Sequence, residues 1–122
     1  MTKEVLKERL KQYAIQTAFL VLKLPYNVVN KNYSDQVNRS ASSAAANYRA
    51  ALRGKSTADF INKLKIVEEE LDETLFFFEL IEVVNPSFKR EIETLYKESN
   101  ELLSIIVASL ITLRNRQAQA KS

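Results

Sequence analysis

Apolar side chains recur every three or four residues along most of this chain, a spacing that only helices sharing a core can satisfy. The first stripe runs Leu6, Leu10, Tyr13, Thr17, Leu20 and Leu24. Another runs Phe60, Leu64, Val67, Leu71, Thr74, Phe78 and Ile81, and a last one Phe88, Ile92, Leu95, Ser99, Leu102, Ile106, Ser109 and Leu113. The intervals are close to those of bundle seams. Between the first two stripes, about Asn32 to Arg53, the centre is Ala41-Ser42-Ser43-Ala44-Ala45-Ala46, strongly helical but small in volume. Small residues admit a close neighbour, and the large Phe residues of the next segment are expected to fill the space above them.

Three breaks separate the segments: Pro25-Tyr26-Asn27, Gly54-Lys55-Ser56 and Asn85-Pro86. A single Gly and two Pro among 122 residues leave too few turn formers for a sheet protein. Ser56 with Asp59 three residues on is a variant capping box. Asn85 before Pro86 predicts an N-cap followed by Pro in the first turn. Gly54 is expected to close a helix in the left-handed conformation. Short connections make successive helices antiparallel neighbours. The prediction is an all-α, antiparallel up-down-up-down four-helix bundle in one domain, 1–122, with helices at about 2–24, 32–53, 57–84 and 87–115. The tail from Arg114 to Ser122 has no apolar stripe and is expected to fray.

Absent residues restrict the chemistry. With no Cys there is no disulfide framework and no thiolate site, and with no His the commonest metal ligand and general base are missing. The acidic run Glu68-Glu69-Glu70-Leu71-Asp72-Glu73 has the composition of a solvated helix face. A di-iron bundle requires Glu-x-x-His pairs that this chain lacks. No cofactor and no catalytic residue are expected, and the chain is predicted not to be an enzyme. The longest apolar-rich run, Leu102 to Leu113, is twelve residues, short of the ~20 of a membrane-spanning helix. Charged and apolar residues alternate after Met1, unlike an export signal, so a cytoplasmic protein with no membrane partner is expected.

Charge is segregated along the chain. Residues 1–29 carry a net +3, 30–55 a net +4, 56–85 a net −6 and 86–122 a net +2. A hairpin about residue 55 would set Arg39 near Asp72 and Ser43 near Glu68. The first and last helices are also more apolar than one buried face requires. Ile15, Phe19 and Leu22 are surplus in the first, and Tyr96, Leu103, Val107 and Leu110 in the last. A neighbouring subunit would supply a second buried face, so the latter four are the candidate subunit interface of a homo-oligomer.

The stretch from Arg39 through Ala44-Ala45-Ala46-Asn47-Tyr48-Arg49, on to Lys55-Ser56-Thr57-Ala58-Asp59-Phe60 and Glu68-Glu69-Glu70-Leu71, resembles a known bacterial family. These are the four-helix-bundle proteins encoded within intervening sequences of 23S ribosomal RNA genes, also labelled S23 ribosomal proteins. The chain is similar as well to the accessory variability proteins of diversity-generating retroelements. Ala41 and Ala44 or Ala45 stand where the family usually has a Gly and a β-branched residue, and Phe77 lies near a usual Trp. The resemblance covers nearly the whole chain and implies a ring-like homopentamer. Through the retroelement relatives it implies binding to nucleic acid and to a reverse transcriptase.

Arg39, Arg49, Arg53 and Lys55 are the candidate nucleic-acid contacts, because guanidinium groups bind phosphate oxygens bidentately. Asn47, Tyr48 and Arg49 fit two roles, packing and pairing inside the fold or contact with a ligand. The leading expectation is a non-enzymatic oligomeric bundle that binds RNA or DNA as an accessory factor. The alternative is a protein–protein scaffold whose partner docks on the acidic third helix or the surplus apolar face.

Overall fold

A computed structural model describes residues 1–121. It contains four α-helices: α1, Lys3–Lys23; α2, Val28–Ala51; α3, Thr57–Val84; and α4, Lys89–Lys121, entered through a 3-10 turn at Pro86–Phe88. Each helix packs on its sequence neighbours, and α1 closes the bundle against α4. The direction of packing is visible in individual pairs. From Arg9 to Lys23 along α1, the partners retreat from Glu98 to Glu91 along α4. From Asn30 to Arg39 along α2, they retreat from Asn85 to Glu73 and Glu70 along α3.

Local chemistry sets the helix starts. Thr2, Asn27 and Ser56 each accept a hydrogen bond from the backbone N–H three residues on, at 3.1, 2.8 and 3.1 Å. The Asn27 cap starts α2 at Val28, four residues before the expected boundary. Asn85 behaves differently from the expectation: its side chain makes no cap, and Pro86 opens the 3-10 turn. That side chain turns inward to Asn30 and to the Ile81 carbonyl. Gly54 is not left-handed either, since no described residue has a positive φ. A Cβ there would lie 3.1 Å from the Ala51 carbonyl oxygen and 3.4 Å from Asp59 Cβ, so close approach accounts for the glycine. α4 continues to Lys121, past the expected boundary near residue 115, through residues that favour helix, and Ser122 lies outside the described residues.

The core follows the predicted stripes closely. All six positions of the first stripe are buried, as is every position of the α3 stripe except the partly buried Phe60. In α4 the stripe drifts in its last turns, where Leu110 takes the core position that the spacing assigned to Ser109. Of the small run in α2, Ala41 and Ala44 are fully buried, Ala45 is half-buried, and Ser42 and Ala46 face solvent. The middle of the bundle holds a layer of hydroxyls from all four helices. Tyr13 of α1 bonds Ser99 of α4, and Ser40 of α2 bonds Thr74 of α3 at 2.7 Å. Each is buried, and each pairing satisfies groups that would otherwise be costly to remove from water.

Candidate functional site

The antiparallel arrangement sends the start of α1, the α2–α3 turn and the last turns of α4 to one end. Cations from three separate parts of the sequence meet there. Lys3 and Lys55 line one open cavity of about 310 Å³, together with Gly54, Ser56 and Phe60. Lys3 and Arg116 line a second, of about 520 Å³, between α1 and α4. One to two turns further along, Lys7, Lys11 and Arg49, with the carboxylate of Glu8 among them, border a third, of about 450 Å³, also lined by Ala45 and Ala46. Phe60, in the first turn of α3, lies 4.8 Å from the Lys3 ammonium and holds it at this end by a cation–π contact.

Among the described residues, Arg49, Arg53, Lys55 and Arg116 join no ion pair, and all four are exposed. Lys7 is paired with Glu4 at 3.0 Å. The sequence had separated the basic residues near the start of the chain from those near its finish; the fold brings Lys3 and Arg116 together. No spacing rule reveals this, because it depends on which helix ends meet.

Arg39 stands apart from the other three candidates. It sits mid-α2, about 20 Å along the helix from Arg53 at 1.5 Å per residue. Its guanidinium bonds Glu70 at 3.0 Å and Glu73 at 2.5 Å rather than the expected Asp72. The hydrogen bond it donates to Glu73, aided by the charges of both carboxylates, raises its pKa further above the ordinary arginine value. Arg9 is likewise committed, to Glu98 at 2.6 Å and Glu101 at 3.1 Å, and the Glu98 bond raises its pKa. Asn47 donates to the Ser43 carbonyl at 2.9 Å and to its hydroxyl at 3.0 Å, an internal role. Tyr48 is buried in the core, which pushes its phenol pKa up. Arg49 alone of that trio is exposed and outside any ion pair.

The candidate interface set divides. Tyr96 and Leu103 are half-buried against the core and Val107 is half-buried, whereas Leu110 is inside the core and offers no surface to a neighbour. Helix drift explains Leu110: seen end-on, it falls on the core side of the last turns. The open apolar surface lies elsewhere, at Ile15, Phe19 and Leu22 of α1 and at Phe76 and Val83 of α3.

Among the described residues no group of His, Cys, Asp or Glu is placed to hold a metal ion. No helix among the described residues is long and apolar enough to cross a membrane. Four helices around one core, with cations gathered at one end, define a helical-bundle protein. The chain belongs to the 23S rRNA-intervening sequence protein family, whose sequence profile matches residues 6–108. It is similar to a crystal structure from Bacteroides thetaiotaomicron, a protein of unknown function from the S23 ribosomal protein family. The two share 29% identity and a TM-score of 0.78, over 90% of this chain and 98% of that one. No curated protein matches.

Proposed function

We propose that this chain is a non-enzymatic, cytoplasmic bundle that binds RNA or DNA as an accessory factor, through its basic end. One observation carries the reading: Lys55 and Arg116 each share a cavity with Lys3 at one end of the bundle, Arg53 lies two residues before Lys55, Arg49 borders the cavity further along, and none of the four joins an ion pair among the described residues. Exposed guanidinium and ammonium groups on a rigid platform suit phosphate oxygens, and their contacts release condensed counterions. Membership of a family named for 23S rRNA intervening sequences makes structured RNA the first partner to test. Assembly of several copies side by side, a pentamer by resemblance, would multiply the patch, and a reverse transcriptase is the protein partner that the resemblance implies.

The test is a salt titration of RNA and duplex DNA binding by the native chain and by the double variant R53Q/K55Q. Each phosphate contact contributes about −0.9 to the slope of log affinity against log salt on duplex DNA. The double variant is expected to flatten that slope by up to about 2 while leaving the circular dichroism spectrum unchanged. Absence of native binding at low salt, or a full slope in the variant, defeats the reading. A protein–protein scaffold would then lead, favoured by the exposed Phe19 and Phe76, each 54% accessible.

A further inference from the structure

The end of the bundle opposite the cations has the reverse character. There α1 stops, α2 starts, α3 stops and the 3-10 turn leads into α4. Six apolar side chains stand exposed at this end: Leu22, Tyr26, Val28, Val29, Val83 and Val84. Tyr26 is 88% accessible, Val28 82%, and Leu22 and Val83 79% each. Isolated exposed apolar residues are ordinary, but six gathered at one end of a bundle of this size suit an interaction surface.

The group rests on a fixed platform. Asn30 and Asn85 exchange two side-chain hydrogen bonds, and Asn30 also donates to the Pro25 carbonyl at 2.8 Å. Val28 and Val29 immediately precede Asn30, and Val83 and Val84 immediately precede Asn85, so one polar knot positions all four valines. A surface ordered in advance loses less entropy on association.

The rim is nearly neutral. Lys23 pairs with Glu91 at 3.2 Å, Lys31 with Asp35 at 3.0 Å and Lys89 with Glu93 at 3.8 Å. Arg90 and Glu82, close by in sequence to the turn, carry opposite signs. A surface of this kind meets a copy of itself without repulsion, which neither the basic end nor the acidic face of α3 can do. Weighted by exposure, the six residues offer at most on the order of 700 Å² per copy, a ceiling just under the ~800 Å² per partner of a standard interface.

We propose that this apolar end docks on the same end of a second copy in a two-fold, end-to-end contact that leaves the basic ends facing outward. The contact is isologous, so one patch supplies both sides. It is independent of nucleic-acid binding and of any side-by-side association. Because it is apolar, it holds or strengthens as salt rises, whereas phosphate contacts weaken.

Light scattering on the full chain tests it, with V83K and V83E as variants of an exposed position that leave the fold intact by circular dichroism. Each variant alone is expected to halve the native mass, because both copies then carry a like charge into the apolar contact. An equimolar mixture of V83K and V83E is expected to restore it. Molar salt is expected to leave the native mass undiminished. A native mass of 14.0 kDa, the monomer value, overturns the proposal. So does a native mass that neither variant changes, or a mixture that fails to reassociate. Sedimentation of the native chain with neutral lipid vesicles at unchanged mass would also overturn it, by assigning the patch to a bilayer surface.

Discussion

Asn30 and Asn85, 55 residues apart, face each other inside the bundle as a reciprocal amide pair. Asn30 Nδ2 donates to Asn85 Oδ1 at 2.9 Å and Asn85 Nδ2 donates to Asn30 Oδ1 at 2.8 Å. Both side chains are buried, and the second donor of each reaches a backbone carbonyl, that of Pro25 or Ile81. The pair fixes the start of α2 against the end of α3. It also takes Asn85 away from the capping role that its place before Pro86 suggests.

Removing one member of this pair strands the other. Asn85→Ala is expected to cost about 1–3 kcal/mol, the penalty for a buried amide left without its partner. Urea unfolding of both single variants and the N30A/N85A double variant measures the coupling. A double variant no less stable than either single one would confirm that the loss comes from the stranded group.

The small run of α2 faces two ways. Ala44→Leu is expected to destabilise by about 1–3 kcal/mol, because Ala44 is fully buried and an inserted side chain must displace its neighbours. Ala46→Leu, on the solvent face, is expected to stay within about 0.5 kcal/mol of the native chain. Paired thermal melts distinguish the two.

Burial pushes the Tyr13 phenol pKa well above its ordinary value of 10.0, partly opposed by the Ser99 hydrogen bond. The folded state therefore prefers the neutral phenol. The stability it contributes is complete below about pH 10, the unfolded value, and is lost as pH climbs toward the folded one. Tyr13→Phe is expected to cost about 1 kcal/mol at neutral pH, from the lost hydroxyl pairing. It should also flatten part of the decline above about pH 10. Chemical denaturation of both proteins from pH 7 upward checks the sign.

Arg39 and the pair Arg53 and Lys55 are expected to behave oppositely. Arg39→Ala breaks contacts to Glu70 and Glu73 on a half-exposed surface, so its cost is within about 1 kcal/mol and shrinks with added salt. It is expected to leave the salt slope of nucleic-acid binding intact. Unfolding curves at low and high salt, set beside the binding titration, check both halves.

Much of the fold was legible because helix faces are written locally. A repeat of three to four residues puts Leu6, Leu10, Tyr13, Thr17, Leu20 and Leu24 on one side of α1 whatever the helix packs against, and all six are buried. Ser56 caps α3 for an equally local reason, since its acceptor and the Asp59 N–H are three residues apart. The candidate site was legible only in part. Arg49, Arg53 and Lys55 stood out by charge, but the meeting of Lys55 with Lys3, and of Lys3 with Arg116, requires helix ends from distant parts of the chain to come together. The choice of Glu70 and Glu73 over Asp72 as partners of Arg39 turns on inter-helix register, which a shift of one or two residues changes and no local pattern encodes. Leu110 went inward because small angular drift accumulates along a 33-residue helix. Sequence alone determined which faces are apolar and where α1 and α3 begin. Tertiary packing alone decided which ends share a surface, because that depends on contacts between residues far apart in the chain.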